Sequence, residues 1–200
     1  METQNLMKNF IFLTFFMFVF ISCDYDKREQ ENPQDSMLYN RSDWPHWVDY
    51  DRDCQNARAE MLISASTTPV KFKRYKGCVV SHGNWLDPYS GDAFTQANKL
   101  DIDHIIPLKE AYISGGGAWS RAKRRAFAND FQNLIVVSAT ENRKKGAKDP
   151  AEWLPSSIDY HCEYVRRWVY LKTKYKLTMD AQEKKSINLI NKNLSCQTDK

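Results

Sequence analysis

The sequence lacks several features that define common protein classes. Its longest hydrophobic run, residues 10–21, falls short of the roughly 20 residues that a membrane-spanning helix needs. No two cysteines have the C-x-x-C spacing of a structural zinc site. Neither an internal repeat nor a second domain is evident. With 42% hydrophobic and 27% charged residues over 200 positions, the chain has the composition of one ordinary globular domain.

The N-terminus has the features of an export signal. Lys8 precedes the apolar run FIFLTFFMFVFI, which is typical of a signal-peptide core. The tetrapeptide FISC that follows resembles a bacterial lipobox, in which the cysteine is acylated. We therefore expect residues 1–22 to be a lipoprotein signal peptide, Cys23 to be lipidated, and the protein to be anchored at the outer membrane or cell surface. Ordinary cleavage, which gives a secreted or periplasmic protein, and an uncleaved anchor are the alternatives.

The remaining four cysteines favour disulfides, since an even number of cysteines in an exported chain is typical of a disulfide framework. Pairing within short loops favours Cys54–Cys78 and Cys162–Cys196. Free buried cysteines and a metal site are the alternatives.

The rest of the chain divides into a tether and an α+β domain. Residues 23–43 are polar and nearly free of aliphatic side chains, so we expect a flexible tether followed by a folded domain over residues 44–200. In that domain, turn residues dominate 81–92. Helices are predicted at about 53–64, 119–130, 158–174 and 180–194, and strands near 71–80 and at 133–138.

The segment LDIDHIIPLKEA, residues 100–111, combines a buried-strand pattern with ionisable side chains. Asp101, Asp103 and His104 interrupt its apolar residues. Burying a carboxylate beside an imidazole costs several kcal/mol unless a cation or hydrogen bonds compensate. Asp101 shares the face of Asp103 about 6.6 Å along a strand, so we treat it as secondary. Because Asp103 and His104 are adjacent, the strand must twist, end or bulge for both to reach one site.

The second half of the pattern lies after the strand at 133–138. Ser138 and Glu141 have the S-x-x-E spacing of a capping box, which predicts a helix with Asn142 in its first turn. Charge is uneven: residues 24–53 hold nine Asp/Glu against four Lys/Arg, and residues 71–148 hold seven against fourteen. A basic centre favours phosphate-backbone binding, with solvated helix faces as the alternative. The basic residues concerned are Arg121, Lys123, Arg124, Arg125, Arg143, Lys144, Lys145 and Lys148.

The order of DIDHIIP, FQNLIVVS and ENRKKG resembles the HNH, or ββα-metal, nuclease motif, in which two strands and a helix hold one divalent ion. More narrowly, DIDHIIPLKEA, a glycine-rich turn, RRAFANDFQNLIVVS, NRKKG and DPAEWLP resemble a family of secreted bacterial proteins related to HNH endonucleases. The similarity extends from about Asp51 to Cys196. It implies an α+β fold with a ββα-metal (HNH or His-Me finger) core, additional helices, and a small N-terminal strand and turn region stapled by disulfides.

The resemblance also implies a role for each residue of the motif. His104 would be the general base that accepts a proton from attacking water. Asp103 and the side-chain oxygen of Asn142 would hold one divalent ion, Mg²⁺ first, with Mn²⁺ or Zn²⁺ as alternatives. Asn133 would support His104 through hydrogen bonds to backbone across the loop. Contacts to substrate phosphates are assigned to Arg143, Lys145, Arg124 and Arg125.

These inferences predict an exported, metal-dependent endonuclease that hydrolyses DNA, with RNA as a second substrate. Little sequence specificity is expected, since no base-reading module is recognisable, and the absence of a dimerisation signal favours a monomer. A non-catalytic nucleic-acid-binding surface lipoprotein is the alternative, and a structural or carbohydrate-binding lipoprotein is the third. The tryptophans are expected to pack in the core, Glu110 to orient Arg125, and His46, His82 and His161 to have no catalytic role.

Overall fold

The computed structural model describes residues 38–196. The predicted signal peptide, Cys23 and the tether up to residue 37 lie outside the described residues. The described part has an α+β architecture with six α-helices and two small antiparallel sheets. None of these helices has the length and apolar character needed to cross a bilayer.

The two sheets are not hydrogen-bonded to each other, but both contribute to one apolar cluster. Strands β1 (Lys71–Phe72), β2 (Val80–Leu86) and β3 (Ala93–Gln96) form a three-stranded antiparallel sheet with β2 in the centre. Strands β4 (Leu100–His104) and β5 (Leu134–Ser138) form an antiparallel pair. The helices are α1 (Ala57–Ala65), α2 (Leu108–Ile113), α3 (Arg121–Ala128), α4 (Ala139–Lys145), α5 (His161–Tyr175) and α6 (Ala181–Asn193).

The β4–β5 pair lies between two apolar clusters. Leu100 and Ile102 pack on one side with residues of α1 and β2, whereas Ile135 and Val137 pack on the other with α3, α5 and α6. Side chains on a strand alternate between faces, so a strand covered on both faces is apolar throughout. This explains why every residue of β5 is buried. Helix α4 follows β5 directly and lies against both strands.

Strand β4 is shorter than the pattern of residues 100–111 predicts. It ends at His104, and α2 begins at Leu108, directly after Pro107. Pro107 has no N–H to donate to a ladder and tolerates the start of a helix. The backbone N–H groups of Ile105 and Ile106 are satisfied instead by Asn133, so the chain leaves the sheet without losing hydrogen bonds.

The expectation of turns over residues 81–92 is wrong for its first half, which is strand β2. A Cβ at Gly83 would lie 2.7 Å from the ring of Trp85, so only glycine allows this close approach. Trp85 is 1% exposed, and its indole N–H donates to the carbonyl of Leu62 at 2.8 Å. Packing of one tryptophan against α1 therefore overrides a turn-rich composition.

Residues 38–43, which belong to the predicted tether, include a short turn and an aromatic contact with the domain. Asn40 caps a short 3-10 turn over Arg41–Asp43. Tyr39 contacts Tyr112 edge-on with ring centroids 5.8 Å apart, and Trp44 is completely buried. We refer to residues 38–48 as the N-terminal arm.

The strand predicted near residues 71–80 is limited to β1 and the first residue of β2, with bends and turns between them. The four predicted helices are present with shifted ends. The disulfides Cys54–Cys78 and Cys162–Cys196 are both present, which confirms the short-loop pairing. Ser138 caps α4 by accepting the Glu141 N–H at 3.1 Å. The N–H of Ser138 donates to the buried carboxylate of Asp87 at 3.0 Å, so half of the predicted capping box is formed.

Candidate active site

A cavity of about 340 Å³ lies between β4, α4 and the N-terminal arm. Four of the predicted site residues line it: Asp103, His104, Asn142 and Arg143. Asp103 and His104 both reach it because the cavity lies where β4 ends. The conflict between adjacent residues on opposite faces is therefore resolved by the end of the strand.

His104 is held as a neutral imidazole with one nitrogen available. Its Nε2 lies 2.8 Å from the carbonyl oxygen of Ala128, and a carbonyl can only accept, so Nε2 carries the proton. Nδ1 is then the lone-pair nitrogen. Burial is the main cause that lowers the pKa of His104 to about 3, so the ring is uncharged at neutral pH.

Asp103 is buried, and one of its two carboxylate oxygens accepts hydrogen bonds from the protein. Its Oδ2 accepts the hydroxyl of Tyr89 at 2.8 Å and the ammonium of Lys145 at 2.8 Å. Lys145 also donates to the carbonyl of His104 at 2.8 Å. This is the compensation that a carboxylate in an apolar strand requires, and it restrains Asp103 and His104 from behind.

Asn142 is oriented by Asp101. The side-chain Nδ2 of Asn142 donates to Oδ2 of Asp101 at 3.1 Å. Because a carboxylate accepts only, this bond identifies the amide nitrogen and leaves the amide oxygen as the remaining group. Asp101 therefore supports the predicted ligand Asn142.

The three side chains share one arrangement. Each has one polar atom fixed by a protein partner, and each keeps a second atom with no hydrogen bond to any part of the chain between residues 38 and 196. The available atoms are Nδ1 of His104, Oδ1 of Asp103 and Oδ1 of Asn142. One nitrogen base and two hard oxygen donors thus belong to three residues that line a single cavity.

Asn133 is completely buried behind the cavity. Its Oδ1 accepts the Ile106 N–H at 2.9 Å, its Nδ2 donates to the Ile106 carbonyl at 3.3 Å, and its backbone carbonyl accepts the Ile105 N–H at 2.8 Å. These bonds fix the chain just after His104 and tie it to the start of β5.

Two of the residues assigned to phosphate are placed elsewhere. Lys145 has no exposed surface, and its ammonium is engaged by Asp103 and His104. Arg124 donates to the carbonyl of Gly117 at 2.7 Å and packs against the ring of Trp44, so it secures the fold. The sequence could not distinguish these cations from exposed ones, because helix position alone does not specify burial.

The other two are exposed. Arg143 lies on the cavity wall, and Arg125 lies over the ring of Tyr50 at 5.4 Å. The predicted pair of Glu110 and Arg125 is wrong, since Glu110 is buried and ion-paired with Lys172 at 2.5 Å.

An aromatic residue that the sequence did not predict supports the His104 ring. Trp47 stacks on the ring of His104, with centroids 5.8 Å apart and an interplanar angle of 28°. Trp47 has a φ of 58°, an uncommon value for a residue other than glycine. Asn129 holds this loop on both sides by accepting the Val48 N–H and donating to the Pro45 carbonyl. No periodicity marks these residues, because the contacts join distant segments.

Two acidic groups outside the cavity have the spacing of possible metal ligands. They are Asp49 with Asp51 and Asp53, and Asp149 with Asp180 and Glu183. Asp49 and Asp149 accept backbone N–H groups in their own loops, and Glu183 pairs with Lys172 and Trp168. These local bonds explain both groupings.

Comparison with known proteins gives a family for this arrangement. Residues 53–190 match the family described as GmrSD restriction endonucleases, C-terminal domain. The chain belongs to this family. It is also 36% identical over 159 residues to an uncharacterised secreted protein of Arthroderma benhamiae. The aligned residues cover 78% of this chain and 75% of the relative. No solved structure matches the chain.

The family is one of restriction endonuclease domains, which indicates a nuclease-type function and hence a nucleic acid substrate. The matched region includes β4, β5 and α4, and so contains Asp103, His104 and Asn142. A secreted relative and two disulfides are both consistent with export.

Proposed function

We propose that the protein is an exported, metal-dependent endonuclease that hydrolyses phosphodiester bonds of DNA, and of RNA as a second substrate, through a ββα-metal core of the HNH type. The observation that carries the proposal is that three residues lining one cavity each keep an available atom: Nδ1 of His104, Oδ1 of Asp103 and Oδ1 of Asn142. Two antiparallel strands followed by a helix supply all three.

The donor set suits one hard divalent cation. A carboxylate oxygen and an amide oxygen are ligands that Mg²⁺ accepts, and two protein ligands leave coordination positions for water and substrate phosphate. Mn²⁺ and Zn²⁺ are alternative ions. A cation bound there would stabilise the negative charge that develops on the phosphoryl and leaving oxygens. Tyr89 and Lys145 both bind Oδ2 of Asp103, so Oδ1 remains available as a ligand for the cation.

His104 supplies the base. Its neutral ring accepts a proton from water at Nδ1, while Nε2–H remains bonded to the Ala128 carbonyl. That carbonyl stabilises the imidazolium as it forms, because a charged donor makes the stronger hydrogen bond. Trp47 limits rotation of the ring, and Asn133 fixes the backbone beside it.

Arg143 supplies positive charge for the substrate backbone. It is exposed on the cavity wall, in the same helix as Asn142. Phosphate contacts of this type position a nucleic acid without reading its sequence, which supports cleavage with little sequence specificity. We further propose a lipid anchor at Cys23 and a monomeric state.

The test uses residues 24–200, which is the mature chain without the acylated Cys23, with both disulfides formed. Supercoiled plasmid is incubated with Mg²⁺, with EDTA, and with the His104→Ala variant, and His82→Ala is the matched control because His82 is an exposed histidine on β2. We expect nicking by wild type and His82→Ala only, and its loss in EDTA and in His104→Ala. An intact plasmid with Mg²⁺, Mn²⁺, Ca²⁺ and Zn²⁺, together with a gel shift, would instead identify a non-catalytic nucleic-acid-binding protein.

A further inference from the structure

The N-terminal arm contributes a cationic side chain, Arg41, to the cavity. The arm lies outside residues 53–190, which we call the family-matched region. Arg41 and Tyr39 line the same cavity as Asp103, His104 and Asn142. The family match begins at residue 53, and so includes neither arm residue. Arg41 is an exposed residue, and its side chain is hydrogen-bonded to that of Tyr39.

The arm is fixed on both sides of Arg41. Oδ1 of Asn40 accepts the Ser42 N–H at 3.0 Å and the Ser42 hydroxyl at 2.9 Å. Trp44, three residues after Arg41, is completely buried against Trp119 and Phe127. The backbone of Arg41 is therefore positioned before substrate binds, so less conformational entropy is lost on binding.

The position of Arg41 places its charge where a phosphate would bind. Arg41 lines the same cavity as Asp103 and His104, so a phosphate beside the His104 ring would lie within reach of its charge. Arg41 and Arg143 come from different elements, the arm and α4, so they approach the cavity from separate parts of the fold.

We propose that Arg41 is a catalytic residue that binds the non-bridging oxygens of the scissile phosphodiester, and that the family-matched region alone is an incomplete active site. The inference rests on the proposed function. Water forms the new O–P bond and gives its proton to Nδ1 of His104, the ester P–O bond breaks, and the leaving oxygen takes a proton from solvent. Arg41 stabilises the charge on the phosphoryl oxygens during this step, for which a planar, two-pronged guanidinium is suited.

The experiment compares cleavage of a DNA oligonucleotide by the mature chain and three variants. Arg41→Ala removes the cation, Arg41→Lys keeps the charge without the fork, and Arg74→Ala removes an exposed arginine of the β1–β2 turn that does not line the cavity. We expect kcat/KM to fall about a hundredfold in Arg41→Ala, as for loss of one transition-state donor. Arg41→Lys should lie between Arg41→Ala and wild type, and Arg74→Ala should match wild type.

A second readout separates substrate contact from a structural effect. In the His104→Ala background with Ca²⁺, the slope of log Kd against log salt should fall by about one when Arg41 is also replaced, since one phosphate contact is lost. If wild type cleaves and Arg41→Ala retains more than one fifth of kcat/KM, the inference is wrong and the proposed function stands. If wild type cleaves with none of the four metals, both are wrong.

Discussion

Mild acid is expected to destabilise this fold through His104. The ring is 4% exposed, and burial lowers its pKa in the folded state to about 3, whereas an exposed histidine has a pKa of about 6.5. The unfolded chain therefore binds this proton more readily than the folded one. The contribution is fully present above the unfolded pKa, and is lost as the pH falls from about 6.5 towards 3.

The magnitude follows from the two pKa values. At pH 5, which is about 1.5 units below the pKa of the unfolded state, the histidine is protonated in the unfolded chain but not in the folded one. Each unit lowers the free energy of unfolding by about 1.4 kcal/mol. His104 should thus reduce the free energy of unfolding by about 2 kcal/mol between pH 7 and pH 5. The full loss, below pH 3, would approach about 5 kcal/mol.

The assay is urea unfolding of the oxidised mature chain at pH 7 and pH 5, in EDTA, followed by tryptophan fluorescence. His104→Gln is the control, since a glutamine amide can donate to the Ala128 carbonyl but does not titrate. Carboxylates contribute equally to both proteins, so the difference between the two pH dependences isolates His104. Equal losses in wild type and His104→Gln would refute the reasoning, because His104 would then titrate normally in the folded state.

Three further results are expected. Lys145→Met leaves the buried Asp103 carboxylate without its cation and should cost about 3–5 kcal/mol in urea unfolding at neutral pH; a cost below about 1 kcal/mol would show that the pair is not needed. Replacing Cys162 and Cys196 by serine removes a crosslink that spans 34 residues and should cost about 3–4 kcal/mol, and an unchanged urea midpoint would contradict this. Trp47→Ala should lower kcat by about ten- to a hundredfold with KM within about twofold, and Trp47→Phe should restore most of it; a change confined to KM would argue against positioning of the base.

Local signals in the sequence determined most of the secondary structure. Ser138 and Glu141 lie within one helical turn, so their spacing alone predicts the start of α4. The capping box of Asp180 and Glu183 at α6 acts over the same short distance. The β-branched run of β5 predicts a buried strand for the same reason. The three side chains now proposed for base and metal were identified because the order of their segments resembles the HNH motif.

The tertiary structure decided which charged and aromatic residues serve that site. Lys145 is separated by 41 residues from the carbonyl it binds, and Val48 by 81 from the Asn129 side chain that holds the loop of Trp47. Contacts between residues so far apart in the sequence depend on how whole helices and strands pack. The periodicity of a short sequence window therefore does not predict them. For this reason the sequence by itself determined the proposed base and metal ligands, while only the fold decided that Lys145 is buried beneath them and that Arg41 lies at the cavity.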